Sequence, residues 1–259
     1  MAKQETQMTT KTQAPPPVLY QAGPSVVDSS DLIVPKLLLA QGLSKAVAEG
    51  EAKMGDIRNS LSGVVIGGPN KPVPFIPITI KKYWKKFEVV NDKKQYRGTE
   101  PFTQANASRE REDVVIEGKT YAYDLVIDAF GFTEEDVQDP IALPTAISFT
   151  RTSYKAGQKM NTHFASLDGA QPRIPYFTYM MQITCTKTSN DKGIFYQFDV
   201  KPMLDGTKPK KTPTEYFPKI DRWSKLLNDS TRNVVVDNAD EETASNGATA
   251  SNVIDEDKY

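Results

Sequence analysis

The sequence predicts a mainly β fold with few short helices, and three observations carry that expectation. Alternating apolar and polar residues recur in short runs bounded by Gly, Pro, Asn and Asp, as in Tyr121–Ala129 and Tyr176–Lys187. Few stretches repeat with a helical period, the clearest being Tyr154 to Phe164. The chain has 259 residues of which 38% are hydrophobic, enough to bury one core of about 180 residues with polar ends left over.

In chain order, Met1 to Ser30 is rich in Gln, Thr, Ala and Pro, including Pro15-Pro16-Pro17, and is expected to be disordered. Leu32 to Leu39 is an apolar run broken by Pro35, which suits a short edge strand or a docking segment because proline cannot donate to a central ladder. Ser44 is placed to cap a helix carrying Ala46, Val47 and Ala48, which Gly50 ends. Leu61 to Ile66 reads as a strand closed by Gly67-Gly68-Pro69, and Phe75 to Ile80 as another. Ala105 to Asp113 is charged and polar, a loop or lid. Val114–Ile116, Gly118-Lys119 and Tyr121–Ala129 form a hairpin, with Tyr121, Tyr123, Leu125 and Ile127 on one face. Thr133 followed by Glu134, Glu135 and Asp136 starts a short acidic turn or helix.

The stretch Thr145–Lys201 organises the rest. Ile147 and Phe149 alternate with polar residues, Thr152 or Ser153 caps the Tyr154–Phe164 helix, and a long strand turns at Asn190-Asp191-Lys192-Gly193 into Ile194–Val200. Strand, helix and closing hairpin in that order is how the last three strands of a five-stranded oligonucleotide-binding (OB) barrel run. The fold expected is therefore OB-like over residues 31–228, with extra N-terminal strands and a C-terminal helix on which Ile220, Trp223, Leu226 and Leu227 form the apolar face. Residues 229–259 form an acidic tail expected to be disordered. From Asp237 to Tyr259 seven acids face one base, or −6, so with a total of −1 the remainder carries +5. A basic body with an acidic tail can compete with itself for polyanions.

The stretch richest in chemistry is Lys81-Lys82-Tyr83-Trp84-Lys85-Lys86-Phe87, repeated in kind by Lys93, Lys94, Tyr96 and Arg97. A single strand exposes phosphate charge and base π-faces together, and cations interleaved with rings meet both. Each stacked base contributes about 1–3 kcal/mol. The bland reading makes Tyr83, Trp84 and Phe87 core residues with lysines solvating the other face. Arg151, Lys155 and Lys159 extend the set, the two lysines sharing a helix face four residues apart. Thr207–Pro213, with Lys208, Lys210 and Lys211, is a basic arm or a charged linker.

Ser153-Tyr154-Lys155-Ala156-Gly157-Gln158-Lys159-Met160-Asn161-Thr162, the Ser189–Gly193 turn and Tyr196-Phe198-Val200-Lys201-Pro202 resemble a group of bacteriophage single-stranded-DNA-binding replication proteins. Ile33–Gly42, Gly50 and Gly55-Asp56 resemble the segment that opens such proteins. The resemblance implies sequence-nonspecific binding of single-stranded DNA in replication, recombination or repair, with the helix shaping one end of the groove. It also implies that Ile254, Asp255, Glu256, Asp257 and Tyr259 recruit replication, recombination or transcription proteins, although the tip lacks the proline and phenylalanine ending of the bacterial tails.

Expected DNA-binding residues are thus Lys81, Lys82, Tyr83, Trp84, Lys85, Lys86, Phe87, Tyr96, Arg97, Arg151, Lys155 and Lys159. No cofactor, metal or catalysis is expected, because the lone Cys185 and lone His163 cannot assemble a zinc site or a nucleophile–base pair. A nuclease using Glu134, Glu135 and Asp136 lacks spaced metal ligands. No run approaches a membrane span and Met1–Thr12 is polar, so the host cytoplasm is expected, with a homo-oligomer as an open alternative. The competing function is a virion structural or assembly protein that does not bind nucleic acid.

Overall fold

The computed structural model describes residues 33–107, 109, 114–167, 174–191, 193–228 and 235–236. The expected N-terminal arm, most of the acidic tail with its partner-binding tip, Lys192 of the hairpin turn and most of the 108–113 loop lie outside the described residues. In chain order the elements are β1 (Ile33–Val34), β2 (Leu37–Leu39), α1 (Lys45–Ala48), β3 (Ile57–Asn59), β4 (Val65–Gly67), β5 (Val73–Val90), β6 (Lys93–Pro101), β7 (Val114–Ile116) and β8 (Lys119–Thr133). They continue with α2 (Glu134–Gln138), β9 (Thr145–Thr150), α3 (Tyr154–Leu167), β10 (Met181–Asn190), β11 (Gly193–Pro202), β12 (Leu204–Asp205), β13 (Lys208–Pro209), α4 (Phe217–Asn228) and β14 (Val235–Val236). The fold is mainly β with few short helices.

Pro35 splits the first apolar run into β1 and β2, and β1 pairs in parallel with β14. Of the strand expected at Leu61–Ile66 only Val65 and Ile66 fall in a strand, β4; the residues before them form the turn from β3, where Asn59 Oδ1 accepts from the Leu61 and Ser62 amides at 3.0 and 3.2 Å. Asx turns of this kind offer the backbone an alternative to the ladder. β2, β3 and β4 form a small antiparallel sheet of their own. The strand expected from Tyr176 begins later, because Tyr176–Thr178 is a 3-10 turn and β10 starts at Met181.

The main sheet has seven strands in the order β11-β10-β5-β8-β7, with β6 also on β5 and β9 also on β8. Two long strands organise it. β5 pairs with β8 from Phe75 to Glu88, while its other edge meets β10 at Val73–Phe75 and β6 at Tyr83–Val90. β8 meets β7 at Lys119–Tyr121 and β9 at Val126–Gly131. One half is therefore a body, β11-β10-β5-β8-β9, and the other an arm, β6-β5-β8-β7. Both arm hairpins turn on two residues with positive φ, Asn91 (51°) with Asp92 (59°), and Glu117 (51°) with Gly118 (76°). That backbone matches the right-handed twist of the flanking strands.

The five strands in the positions of the expected OB-like barrel do not close among the described residues, because β9 and β11 do not pair. The 3-10 turn Arg151–Ser153 leads from β9 into α3, and Ser153 Oγ accepts from the Phe198 amide at 3.2 Å. Further along β11, the Gln41 side chain accepts from the Tyr196 amide at 2.9 Å and donates to its carbonyl at 2.7 Å. Side chains thus satisfy an edge that a ladder would otherwise claim, and an edge so blunted does not recruit another strand.

Each face of the body is covered by a helix. On one, α3 buries Ala156, Gly157, Met160 and Phe164 against Ile127, Ile147 and Phe149. A Cβ at Gly157 would stand 3.0 Å from Phe149 and 3.1 Å from the Ile127 Cβ, so this residue lets the helix approach. On the other face, Ile220 and Leu227 of α4 close over Ile76, Ile78, Phe130 and Phe132. Burying each of these large side chains contributes about 1.5–3 kcal/mol, which is why α4 holds to the sheet.

Candidate nucleic-acid interface

Period-two alternation along β5 divides the lysine–aromatic run between two faces. Lys82, Trp84 and Lys86 share one with Tyr121, Tyr123 and Leu125 of β8, and Lys81, Tyr83, Lys85 and Phe87 share the other with Ala122, Asp124, Val126 and Asp128.

On the first face the residues after β6 fold back over the rings. Trp84 is only 2% exposed, stacks on Phe102 with centroids 6.4 Å apart, and donates from Nε1 to Asn106 Oδ1 at 3.3 Å. Asn106 is itself held by the Thr103 amide at 2.8 Å and by donating to the Pro101 carbonyl at 2.9 Å. Cations lie over the rings: Lys82 Nζ is 3.6 Å from the Phe102 centroid, Lys86 Nζ 4.3 Å from Tyr121, and the Arg109 guanidinium 4.2 Å from Tyr123. Such contacts are worth about 0.5–1 kcal/mol at exposed sites and more when dry. Two carboxylates each hold a pair of cations. Glu88 meets Arg97 at 2.7 Å and Lys119 at 3.2 Å, and Glu100 meets Lys86 at 3.5 Å and Arg109 more closely. Hydrogen bonding from Lys119 and then Arg97 holds Glu88 below the usual carboxyl range, and Arg109 does the same for Glu100. Among these seven side chains five cations stand against two carboxylates, an excess of +3.

The second face is more buried and more polar. Tyr83 donates to Asp128 Oδ2 at 2.6 Å, and Lys85 is 5% and Asp128 2% exposed. Burial pushes the Asp128 carboxyl up, against the neighbouring Ser148 hydroxyl, the hydrogen bond from Tyr83 and the charges of Lys36 and Lys85. Burial likewise pushes the Lys81 ammonium down, with Asp128 opposing. Beside them Arg151 pairs with Asp124 through Nε at 2.9 Å and Nη2 at 2.8 Å. Arg151 sits at φ 47°, a left-handed conformation at the junction of strand and helix that costs a non-glycine residue about 1 kcal/mol or more. Farther out Phe87 and Tyr96 meet edge to face at 5.9 Å, and Tyr96 is 48% exposed.

Of the expected residues on the arm, Lys82 and Lys86 lie on the first face, Phe87 and Tyr96 face each other on the second, and Arg97 on exposed β6 reaches Glu88 of the first. Trp84 and Lys85 are corrected: both are interior, the first covered by Phe102 and Asn106 and the second directly opposite Asp124, so neither is offered to a ligand. Tyr83 and Lys81 serve the Asp128 cluster. Lys155 and Lys159 lie on exposed turns of α3 in the body, where Lys159 pairs with Asp199 at 2.8 Å. Phe102, Arg109 and Lys119 lie on the same face of the arm and are not among the expected residues. Tyr121 and Tyr123 were visible as an alternating face, but nothing in a polar loop marks Arg109 as the cation that covers one of them.

Glu134 pairs with Lys210 at 3.1 Å at the start of α2, where Thr133 Oγ1 accepts from the Asp136 amide at 3.0 Å. Among the described residues no group of three or more His, Cys, Asp or Glu is placed to hold a metal ion. Cys185 is buried, donates to the Gly55 carbonyl at 2.9 Å, and has its thiol pushed up to about 11 by burial and then by Asp56. Burial also lowers the single histidine, His163, below its usual value. Among the described residues no helix is long and apolar enough to cross a membrane.

A mainly β body with a basic, ring-lined arm defines the class of this protein. Residues 10–214 match the family described as Pam3 phage gp34-like protein, and the chain belongs to that family of phage proteins. The match includes the arm, α3 and the main sheet, and ends before α4. No curated protein and no solved structure matches the chain.

Proposed function

We propose that this phage protein is a non-enzymatic, sequence-nonspecific single-stranded-DNA-binding protein of replication, recombination or repair. One observation carries the reading, the connectivity of the body. Apart from β6 and β7 of the arm and the short α2, the order is β5, β8, β9, α3, β10 and β11, with antiparallel pairs β5–β8, β8–β9, β5–β10 and β10–β11. An OB fold has this order of strands and helix, and its barrel is often partly open, as the unpaired β9 and β11 leave this one. In OB folds the loop between the first two strands and the loop between the last two flank the ligand. Here the first of these loops is elaborated into the arm, which carries Lys93, Lys94, Tyr96 and Arg97 on exposed β6.

In this reading Tyr96, with Phe87 behind it, offers a ring to bases at the exposed β6 edge, Lys94 and Arg97 beside it neutralise phosphates, and Lys82, Lys86 and Lys119 do so where the strand crosses to the opposite face. Arg151, Lys155 and Lys159 extend the track onto the body. The acidic tail competes for this surface at low salt and, once displaced, presents Ile254, Asp255, Glu256, Asp257 and Tyr259 to partner proteins.

The test is fluorescence anisotropy of labelled oligo-dT and of a matched duplex across a salt series. Single strand bound more tightly than duplex, with log affinity falling linearly in log salt, is the expected outcome. Absence of salt-dependent binding would sink the reading. Assembly into a larger structure would then take its place, favoured by the exposed Val114, Val115 and Ile116 on the sheet's edge strand.

A further inference from the structure

A cavity of about 160 Å³ opens between the first turns of α3 and the β10–β11 hairpin. Its lining includes Thr152, Lys155, Lys159, Thr186, Gln197 and Asp199. The polar groups are hydroxyls, an amide and ammonium groups, the donor set that suits an anion. Asp199 is the exception, and its surroundings account for it. Its side chain is only 10% exposed, and it is held by two lysines that are mostly exposed, Lys159 at 2.8 Å and Lys201 at 3.4 Å. Burial opposes ionisation of Asp199, but the hydrogen bonds and charges of Lys159 and then Lys201 outweigh it and keep the carboxyl below its usual range. With Lys155 on the same wall, three cations stand against one fixed carboxylate, a local excess of +2.

We propose that this cavity is a phosphate subsite, in which Lys155 and Lys159 engage one phosphodiester group of a bound strand and Asp199 is a built-in competitor that holds Lys159 and Lys201 when the strand is absent. The subsite extends the single-strand reading and rests on it for the identity of the phosphate's carrier. Asp199 cannot follow its lysines outward, because it is anchored in β11, whereas both lysines have long flexible stems. Entry of a phosphate therefore exchanges one anion for another at Lys159 and lets Lys155 add a contact.

The experiment has two arms on the full chain. In the first, ¹⁵N-labelled protein is titrated with sodium pyrophosphate at constant ionic strength. Saturable amide shifts at Thr152, Lys155, Thr186 and Gln197, lost in Lys155→Gln and reached at lower concentration in Asp199→Asn, are expected. No saturable shift at these amides, or the same response in Lys155→Gln, overturns the subsite. In the second arm Asp199→Asn is expected to bind oligo-dT about fivefold more tightly at 0.1 M salt, with a salt slope steeper by about 0.7 for one freed lysine. Equal or weaker binding by Asp199→Asn overturns its role as competitor. If pyrophosphate fills the cavity and neither protein binds oligo-dT, the phosphate subsite stands and the single-strand reading falls.

Discussion

Asp128→Ala is expected to destabilise the fold by about 3–5 kcal/mol, the cost of removing one member of a buried ionic cluster. Asp128 sits in the middle of the sheet, with Lys81 opposite on β5 and Ser148 opposite on β9. Its carboxyl accepts from Tyr83, and the charges of Lys36 and Lys85, themselves 4% and 5% exposed, act on it. Burial pushes the Asp128 carboxyl up, so its desolvation opposes the ionised form. Breaking the cluster is nevertheless costly, because alanine leaves two buried ammonium groups without this counter-charge and the Tyr83 hydroxyl without this acceptor. Urea unfolding at neutral pH checks the size, with an unchanged m-value indicating two comparable transitions. A loss below about 1 kcal/mol would mean that the lysines are compensated elsewhere. The pH dependence has a defined sign. A carboxyl raised in the folded state binds its proton more tightly there than in the unfolded chain. This group's contribution therefore falls as pH rises from its ordinary value of 3.8 through its higher folded value, a slope that Asp128→Ala removes.

Lys94→Gln combined with Arg97→Gln is expected to weaken oligo-dT binding by roughly 50-fold at 0.05 M salt and to flatten the salt slope by about 1.4, two contacts at about 0.7 each. Both residues are exposed on β6, and Glu88 keeps Lys119 at 3.2 Å when Arg97 is lost, so the fold is retained. Anisotropy across a salt series reads both quantities, and a change under twofold would place the interface away from the arm.

Much of this architecture is legible in the sequence, because hairpins announce themselves by period and turn chemistry. The Tyr121–Ala129 strand, the Tyr154–Phe164 helix and the α4 face emerge where expected, and the pair Ile220 and Leu227 is buried as the helical spacing requires. The Lys81–Phe87 run is legible as strand and as chemistry, but not as orientation. Both of its faces mix lysines with rings, so alternation alone cannot say which face is covered. A 3-10 turn at Gln104–Asn106, in a stretch that reads as a polar loop or lid, covers Trp84, and Asp124 on the neighbouring strand lies opposite Lys85. Each decision depends on residues distant in the chain. Closure of the barrel is equally non-local, since Gln41 and Ser153, 155 and 45 residues from their β11 partners in sequence, occupy the edge that a ladder would have used. Short β3 escapes notice for the opposite reason, because three residues carry too little periodicity to mark a strand.

The most direct measurement is photo-crosslinking of the full chain to a single-stranded oligonucleotide carrying 5-bromodeoxyuridine, followed by mapping of the crosslinked peptides. The account predicts adducts on Tyr96 and Phe87 of the arm, suppressed by unlabelled oligo-dT and not by an equal amount of duplex. Adducts confined to surfaces outside the arm and the α3 end of the body, or no adduct at all, would contradict it.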